Sequence, residues 1–207
     1  ILERQAKDEA RTGPSAFFGA LLSARSGSDL HNHARLMLER LGQRKISSGG
    51  TLRDALAYIA AMHAEGLEFL SRPVLAQVLS CPLDKLHREV LFPLGQEAAA
   101  TTTSSFIFTR HQRIAKTLVS VLAEEFGEDI DNLYVSLGKA GIDALSIGVL
   151  PENPKKWRFE ISDHFLARDR LGLALNIAQA VLDREPANSI TRTHVANLYR
   201  KAKKPDK

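Results

Sequence analysis

Apolar residues recur at helical spacing through most of this chain, and one short stretch reads as a strand. Phe17, Phe18, Leu21 and Leu22 form one cluster and Leu36, Met37, Leu38 and Leu41 another, so the chain to about Lys45 reads as helical with a break at Gly13-Pro14. Ser26-Gly27-Ser28-Asp29 is expected to be a loop capping the second of these helices, and Ile46 to Gly50 a flexible joint. Thr51 with Asp54 makes a capping box, after which Leu52, Leu56, Ile59 and Met62 share one face. Pro73 opens a helix to about Leu79, and Pro82 opens another that carries Leu83, Leu86, Val90 and Leu91. An Ala- and Thr-rich segment then leads to an apolar strand at Phe106 to Phe108. Thr109 with Gln112 gives a second capping box, so a helix is expected from Thr109 to about Phe126 with Ile114, Leu118, Val121 and Leu122 inward.

Two short helices around a tight turn at Ser80-Cys81 have the form of a helix-turn-helix. With the helix before them and the hairpin after, the order is that of a winged helix whose wing is Ala98 to Ser105. Helical signals resume from Asp129 to about Leu145 and are interrupted by Gly148, Pro151 and Pro154. Beyond them, Phe165, Ala174, Ala178 and Val181, followed by Pro186, fall at the positions of a tetratricopeptide-type helical repeat, and Val195, Ala196 and Tyr199 begin another. The expected fold class is therefore mainly α, with a small β-hairpin. The expected units are a helical lid-like unit over 1–47, a winged helix-turn-helix over 48–127, a helical connector over 128–156 and the start of a tetratricopeptide-like array over 157–207.

Composition narrows the classes. At 207 residues, with 44% hydrophobic and 25% charged, the chain can bury a substantial core as an ordinary globular protein. The net charge of +4 is too thin to argue by itself for nucleic acid or membrane as partner. A single cysteine, Cys81, excludes an internal disulfide and fits a reducing cytoplasm. No apolar run approaches the roughly 18 to 20 residues of a membrane span, so no membrane partner is expected. The first residue is Ile rather than Met and no signal pattern follows, from which the chain is expected to be a piece of a longer protein.

Candidate chemistry is sparse. No Gly-x-x-x-x-Gly-Lys-Ser/Thr loop occurs, so the chain is not expected to cradle nucleotide phosphates by itself. His31-Asn32-His33 lacks companions at zinc spacing and reads as a solvated helix start, and Cys81 in its apolar setting reads as a buried, inert thiol. No catalytic constellation and no metal site are expected. The helix-turn-helix offers Asp84, Lys85, His87, Arg88 and Glu89, a mixed set, and the wing has no Lys or Arg. Packing is thus favoured over DNA binding, whose affinity rests on phosphate contacts. What remains is Arg110-His111 at the start of the helix after the strand, with Arg113 close behind. Unpaired N–H groups and the helix dipole favour an anion there, and a partly buried His in a first turn tends to be neutral and able to donate one N–H.

A helical unit, a winged helix ending in strand–x–His–helix and then helical repeats resembles the STAND NTPases. These include apoptosome scaffolds, plant disease-resistance proteins, animal NOD-like receptors and bacterial anti-phage sensors. Phe17 to Gly27 looks like part of the helical lid of such proteins. The resemblance implies that the winged helix closes over nucleotide held by an upstream ATPase domain of the same protein, where ADP or ATP with Mg is bound. The histidine of the family's Met-His-Asp motif, which contacts the ADP phosphate, falls at His111, flanked here by Arg110 and Gln112. The repeats would then recognise a protein or peptide trigger, the active state would be an oligomer, and the setting would be cytoplasmic defence or stress signalling. The alternative is a DNA-binding regulator with a helical interaction tail. It requires salt-dependent duplex binding weakened by Lys85→Ala or Arg88→Ala, and flat binding curves at low salt rule it out.

Overall fold

The computed structural model describes residues 27–103, 106–148 and 155–202. They form a mainly helical structure with a small two-stranded antiparallel hairpin. The stretch Phe17 to Ser26 expected as a lid, Gly13-Pro14 and the tip of the wing at Ser104-Ser105 lie outside the described residues.

Helix α1 (Gly27–Gly42) already includes Gly27, Ser28 and Asp29, where a capping loop was expected. The helical spacing of Leu30, Ala34, Met37, Leu38 and Leu41 extends back to this point, and all five are buried. The expected flexible joint is instead a tight turn. Lys45 and Thr51 form an antiparallel bridge, the Ile46 N–H bonds to the Gly50 carbonyl at 2.9 Å, and the Ile46 side chain is buried. A buried Ile fixes what a Ser-Ser-Gly-Gly stretch leaves loose. Helix α2 (Leu52–Ala64) starts at the expected capping box, with the Thr51 N–H 2.7 Å from the Asp54 carboxylate and the Asp54 N–H on the Thr51 hydroxyl. Its Leu52, Leu56, Ile59 and Met62 are all buried.

After a short loop, Leu70 and Ser71 run extended and pair with the hairpin, through a Ser71–Phe106 bridge and the Ile107 N–H on the Leu70 carbonyl at 2.9 Å. Helix α3 (Arg72–Val78) ends at Ser80, and α4 (Leu83–Leu86) follows Pro82. Pro93 does not end this second helix. A π-turn (His87–Leu91) lets it continue into α5 (Phe92–Gln96), with the Phe92 N–H reaching back to the His87 carbonyl. Proline has no N–H to give the carbonyl four residues before it and its ring crowds that carbonyl; widening the preceding turn relieves both problems.

Strands β1 (Ala100–Thr102) and β2 (Ile107–Thr109) pair antiparallel with Ala100 opposite Thr109 and Thr102 opposite Ile107. Helices α6 (Gln112–Phe126) and α7 (Ile130–Ser146) follow, the second capped by Asp129. Beyond residues 149–154, a π-turn (Lys156–Glu160) runs into α8 (Ile161–Leu166), then come α9 (Leu171–Arg184) and α10 (Ser189–Ala202).

Besides the end of α6 at Gly127, where Glu128 bonds back to Leu122, four helix ends close in one way, with one left-handed residue and a bond to the carbonyl five residues back. They lie at Gly66 (φ 75), Ser80 (φ 50), Ala98 (φ 55) and Asp169 (φ 59). The bonds run from Leu67 to Met62, Cys81 to Ala76, Ala99 to Leu94 and Arg170 to Phe165.

One core cluster extends from Ala34 to Val181. α2 packs on α6 and α7, α1 on α6, α3 on α7, and α7 on α9. Trp157 and Phe165 are buried in this core, Trp157 edge-on to Phe69 at 5.1 Å and Phe165 against Tyr134 at 4.6 Å. The Tyr134 hydroxyl donates to the Ala61 carbonyl at 2.8 Å, and burial pushes its pKa well above the ordinary phenol value. Phe165, Ala174, Ala178 and Val181 are buried; in α10, Val195 is buried while Ala196 and Tyr199 are exposed. Among the described residues, no helix is long and apolar enough to cross a membrane.

Candidate functional site at the hairpin–helix junction

The expected capping box at Thr109 and Gln112 does not form. Thr109 is the last residue of β2 and its side chain is buried, so it cannot cap α6. The cap is His111, in extended backbone (φ −153, ψ 140), whose Nδ1 accepts the Arg113 N–H at 3.1 Å. Arg110 and His111 therefore precede the helix rather than occupy its first turn. Gln112 points back instead, its side-chain amide donating to the Ala64 carbonyl at the end of α2 at 3.3 Å.

This arrangement fixes the ring chemistry of His111. With Nδ1 accepting, the neutral ring carries its proton on Nε2, and the residue is exposed. The expectation of a partly buried histidine is thus corrected: His111 sits at the surface. Arg110 is half-buried, and its Nε is shielded from solvent without a hydrogen-bond partner among the described residues. Arg113 is exposed in the first turn of α6.

The buried histidine of the region is His63, on the last turn of α2. Its Nδ1 lies 2.6 Å from the Thr109 hydroxyl, and its ring stands edge-on to Phe108 at 5.8 Å. The Thr109 hydroxyl donates to the His111 carbonyl at 3.2 Å, so His63 supplies the proton of the shorter bond. Burial lowers the His63 pKa; nearby Glu68 opposes that shift and His111 adds to it. A neutral ring inside thus anchors β2 and, through Thr109, the backbone of His111. The sequence carried one signal for this. His63 follows Ile59 and Ala60 at helical spacing on the buried face of α2, where an apolar residue would ordinarily stand.

A second polar group ties the end of α2 to α8 and the turn after it. Glu65 Oε2 lies 3.0 Å from His164 Nε2 and 3.5 Å from Arg168 Nε, while Arg168 also reaches His164 Nδ1 at 2.8 Å. Residues 99 positions apart meet here, and no local pattern signals the pairing.

Other candidates lie elsewhere. His31 pairs with Glu125 at 3.4 Å. Cys81 is buried and its thiol pKa is raised by that burial, which keeps it protonated and unreactive. Glu89 is held by the Ser47 N–H at 3.1 Å, and the helix beyond the Ser80–Pro82 turn exposes Leu83 and Phe92 next to Asp84 and Arg88. Among the described residues, no cluster of three or more His, Cys, Asp or Glu could hold a metal ion. No protein-family model, curated protein or solved structure matches this chain.

Proposed function

We propose that this chain is the regulatory part of a nucleotide-dependent signalling switch of the STAND type. In this reading α2, the Leu70–Ser71 segment, α3, α4–α5 and the hairpin form a winged helix that closes over nucleotide carried by a separate ATPase domain. Helices α8 to α10 begin a tetratricopeptide-like array that receives the trigger. The order of elements supports the reading, and the placement of His111 carries it. The ring stands exposed where the hairpin meets α6, held at Nδ1 by its own helix and left with Nε2–H as an outward donor.

Arg110 and Arg113 flank that donor, so the locus suits an anion such as the terminal phosphate of a nucleotide. The nucleotide would supply a phosphate charge that differs between its diphosphate and triphosphate forms. His111 biases the switch only through a difference in affinity for the two. The DNA-binding alternative gains little from the outer face of α4–α5, where, among the described residues, exposed Leu83, Phe92 and Asp84 surround the one exposed cation, Arg88.

Two substitutions in the protein carrying its ATPase domain test the proposal. His111→Ala removes both the cap and the phosphate donor; His111→Ser restores a good cap and leaves the donor missing. Both are expected to lose ADP roughly tenfold faster, the effect of one charge-assisted hydrogen bond, and to raise basal signalling. Nucleotide content measured after purification decides the matter. Wild-type retention in both variants sinks the reading, and full rescue by serine reduces His111 to a helix cap.

A further inference from the structure

A cavity of about 470 Å³ lies away from the hairpin junction, between the segment Lys156 to Leu166 and α10. Its walls include Phe159, Asp163, Ile190, Thr193, His194 and Asn197. The last four recur along α10 at the spacing of one helical face, while Val195 and Leu198 on the other side pack against α9. α10 is therefore fixed by one face and presents the other.

Two apolar surfaces flank the cavity. Phe159 lies against the His194 ring at 4.9 Å, and Ile190 is 67% exposed, an uncovered aliphatic side chain. Among the described residues that line the cavity, one acidic group carries its charge. The Asp163 carboxylate is 3.8 Å from His194 Nε2 and its side chain is 54% exposed. His194 donates from Nε2 to the Ser162 hydroxyl at 2.9 Å, because that hydroxyl gives its own proton to the Phe159 carbonyl. Burial lowers the His194 pKa; Asp163 opposes this and Lys201 adds to it, so the ring is neutral at pH 7. Among the described residues, no Lys or Arg lines the cavity. It is thus an apolar trough with one negative charge, and the Asn197 amide makes no hydrogen bond to the described residues and can pair with a peptide unit.

We infer that this cavity binds an extended peptide segment of a protein partner that carries an aliphatic side chain beside a lysine or arginine. The aliphatic group lies between Phe159 and Ile190, the cation meets Asp163, and Asn197 takes the peptide bond. This rests on the reading of α8 to α10 as the trigger-receiving part and names the chemistry of the trigger, while its test leaves His111 and nucleotide untouched and so fails separately from the nucleotide reading.

Three acetylated dipeptide amides, Leu-Lys, Leu-Gln and Leu-Glu, titrated into the full chain at pH 7 and followed by amide NMR shifts, test it. Leu-Lys is expected to shift Thr193, His194 and Asn197 saturably and to bind about fivefold more tightly than Leu-Gln, the scale of one solvent-accessible ion pair. Leu-Glu is expected to bind more weakly still. Asp163→Asn should erase the preference for lysine and keep the Leu-Gln affinity, and Ile190→Ala should weaken all three peptides. Absence of saturable shifts at α10, equal binding of the three peptides, a preference for Leu-Glu, or a lysine preference that survives Asp163→Asn each overturns the inference.

Discussion

Gly141→Ala is expected to destabilise the protein by about 2 kcal/mol, although alanine is the better helix former by about 1 kcal/mol. Gly141 lies within α7, and a Cβ there would stand 2.4 Å from the indole of Trp157, far inside contact distance. Trp157 is 2% exposed and held edge-on to Phe69, so the ring has no free volume to retreat into. Gly172 supplies the contrast. It sits in the first turn of α9 with open space around its missing side chain, so Gly172→Ala should be neutral or stabilise by up to about 1 kcal/mol. Urea unfolding of the two variants reads both signs. If the clash is the cause, trimming the ring with Trp157→Leu makes the Gly141 substitution nearly neutral in that background, a non-additivity of the kind that touching residues show. A Gly141→Ala protein as stable as wild type would mean that the α7–Trp157 approach is looser than these distances imply.

Thr109→Val is expected to cost about 2 kcal/mol, with little change in side-chain volume. It leaves the buried Nδ1–H of His63 without an acceptor, and an orphaned buried donor costs more than a hydrogen bond contributes when made. Thr109→Ser keeps the acceptor and should lose much less. Replacing both members, with His63→Leu and Thr109→Val, should recover part of the loss, since no unpaired group then remains.

The same histidine links stability to pH. Its native pKa lies below the ordinary value of 6.5, so in the interval below 6.5 the unfolded chain takes up a proton that the native state resists. This contribution is complete above 6.5 and is lost as the pH falls through the native value. His194 is shifted in the same direction and adds to the effect. Unfolding midpoints at pH 7.5 and 5.5 should therefore show a loss of stability in acid that is smaller in His63→Leu. An equal loss in wild type and variant would place the titrating group elsewhere.

Where an element is set by its own residues, the sequence foretells it closely. Thr51 with Asp54, Pro73, Asp129 and the apolar spacing of α2, α6 and α7 act within one or two turns, and these helices lie where the pattern puts them. The misplacements have a common physical cause. Thr109 has the credentials of a helix cap, but His63, 46 residues away in sequence, draws it into the core, and the next available side chain caps the helix in its place. Ile46 to Gly50 looks loose until Ile46 is buried. The candidate site shows the same division: Arg110 and His111 are visible as residues, but the tautomer and the anchor depend on partners that only the tertiary structure supplies.

The last turn of α2 is gripped from two sides at neighbouring residues. Ala64 receives the amide of Gln112, next to His111, and Glu65 receives His164 and Arg168 from α8 and the turn after it. The two attachments are one peptide unit apart, roughly 3.8 Å between α-carbons. A tilt of α8 that carried Glu65 with it would reach Gln112 through the Glu65 side chain, one peptide unit and the Gln112 amide. In mechanical terms the end of α2 is a fulcrum, with α8 to α10 as the long handle and the exposed imidazole as the tip.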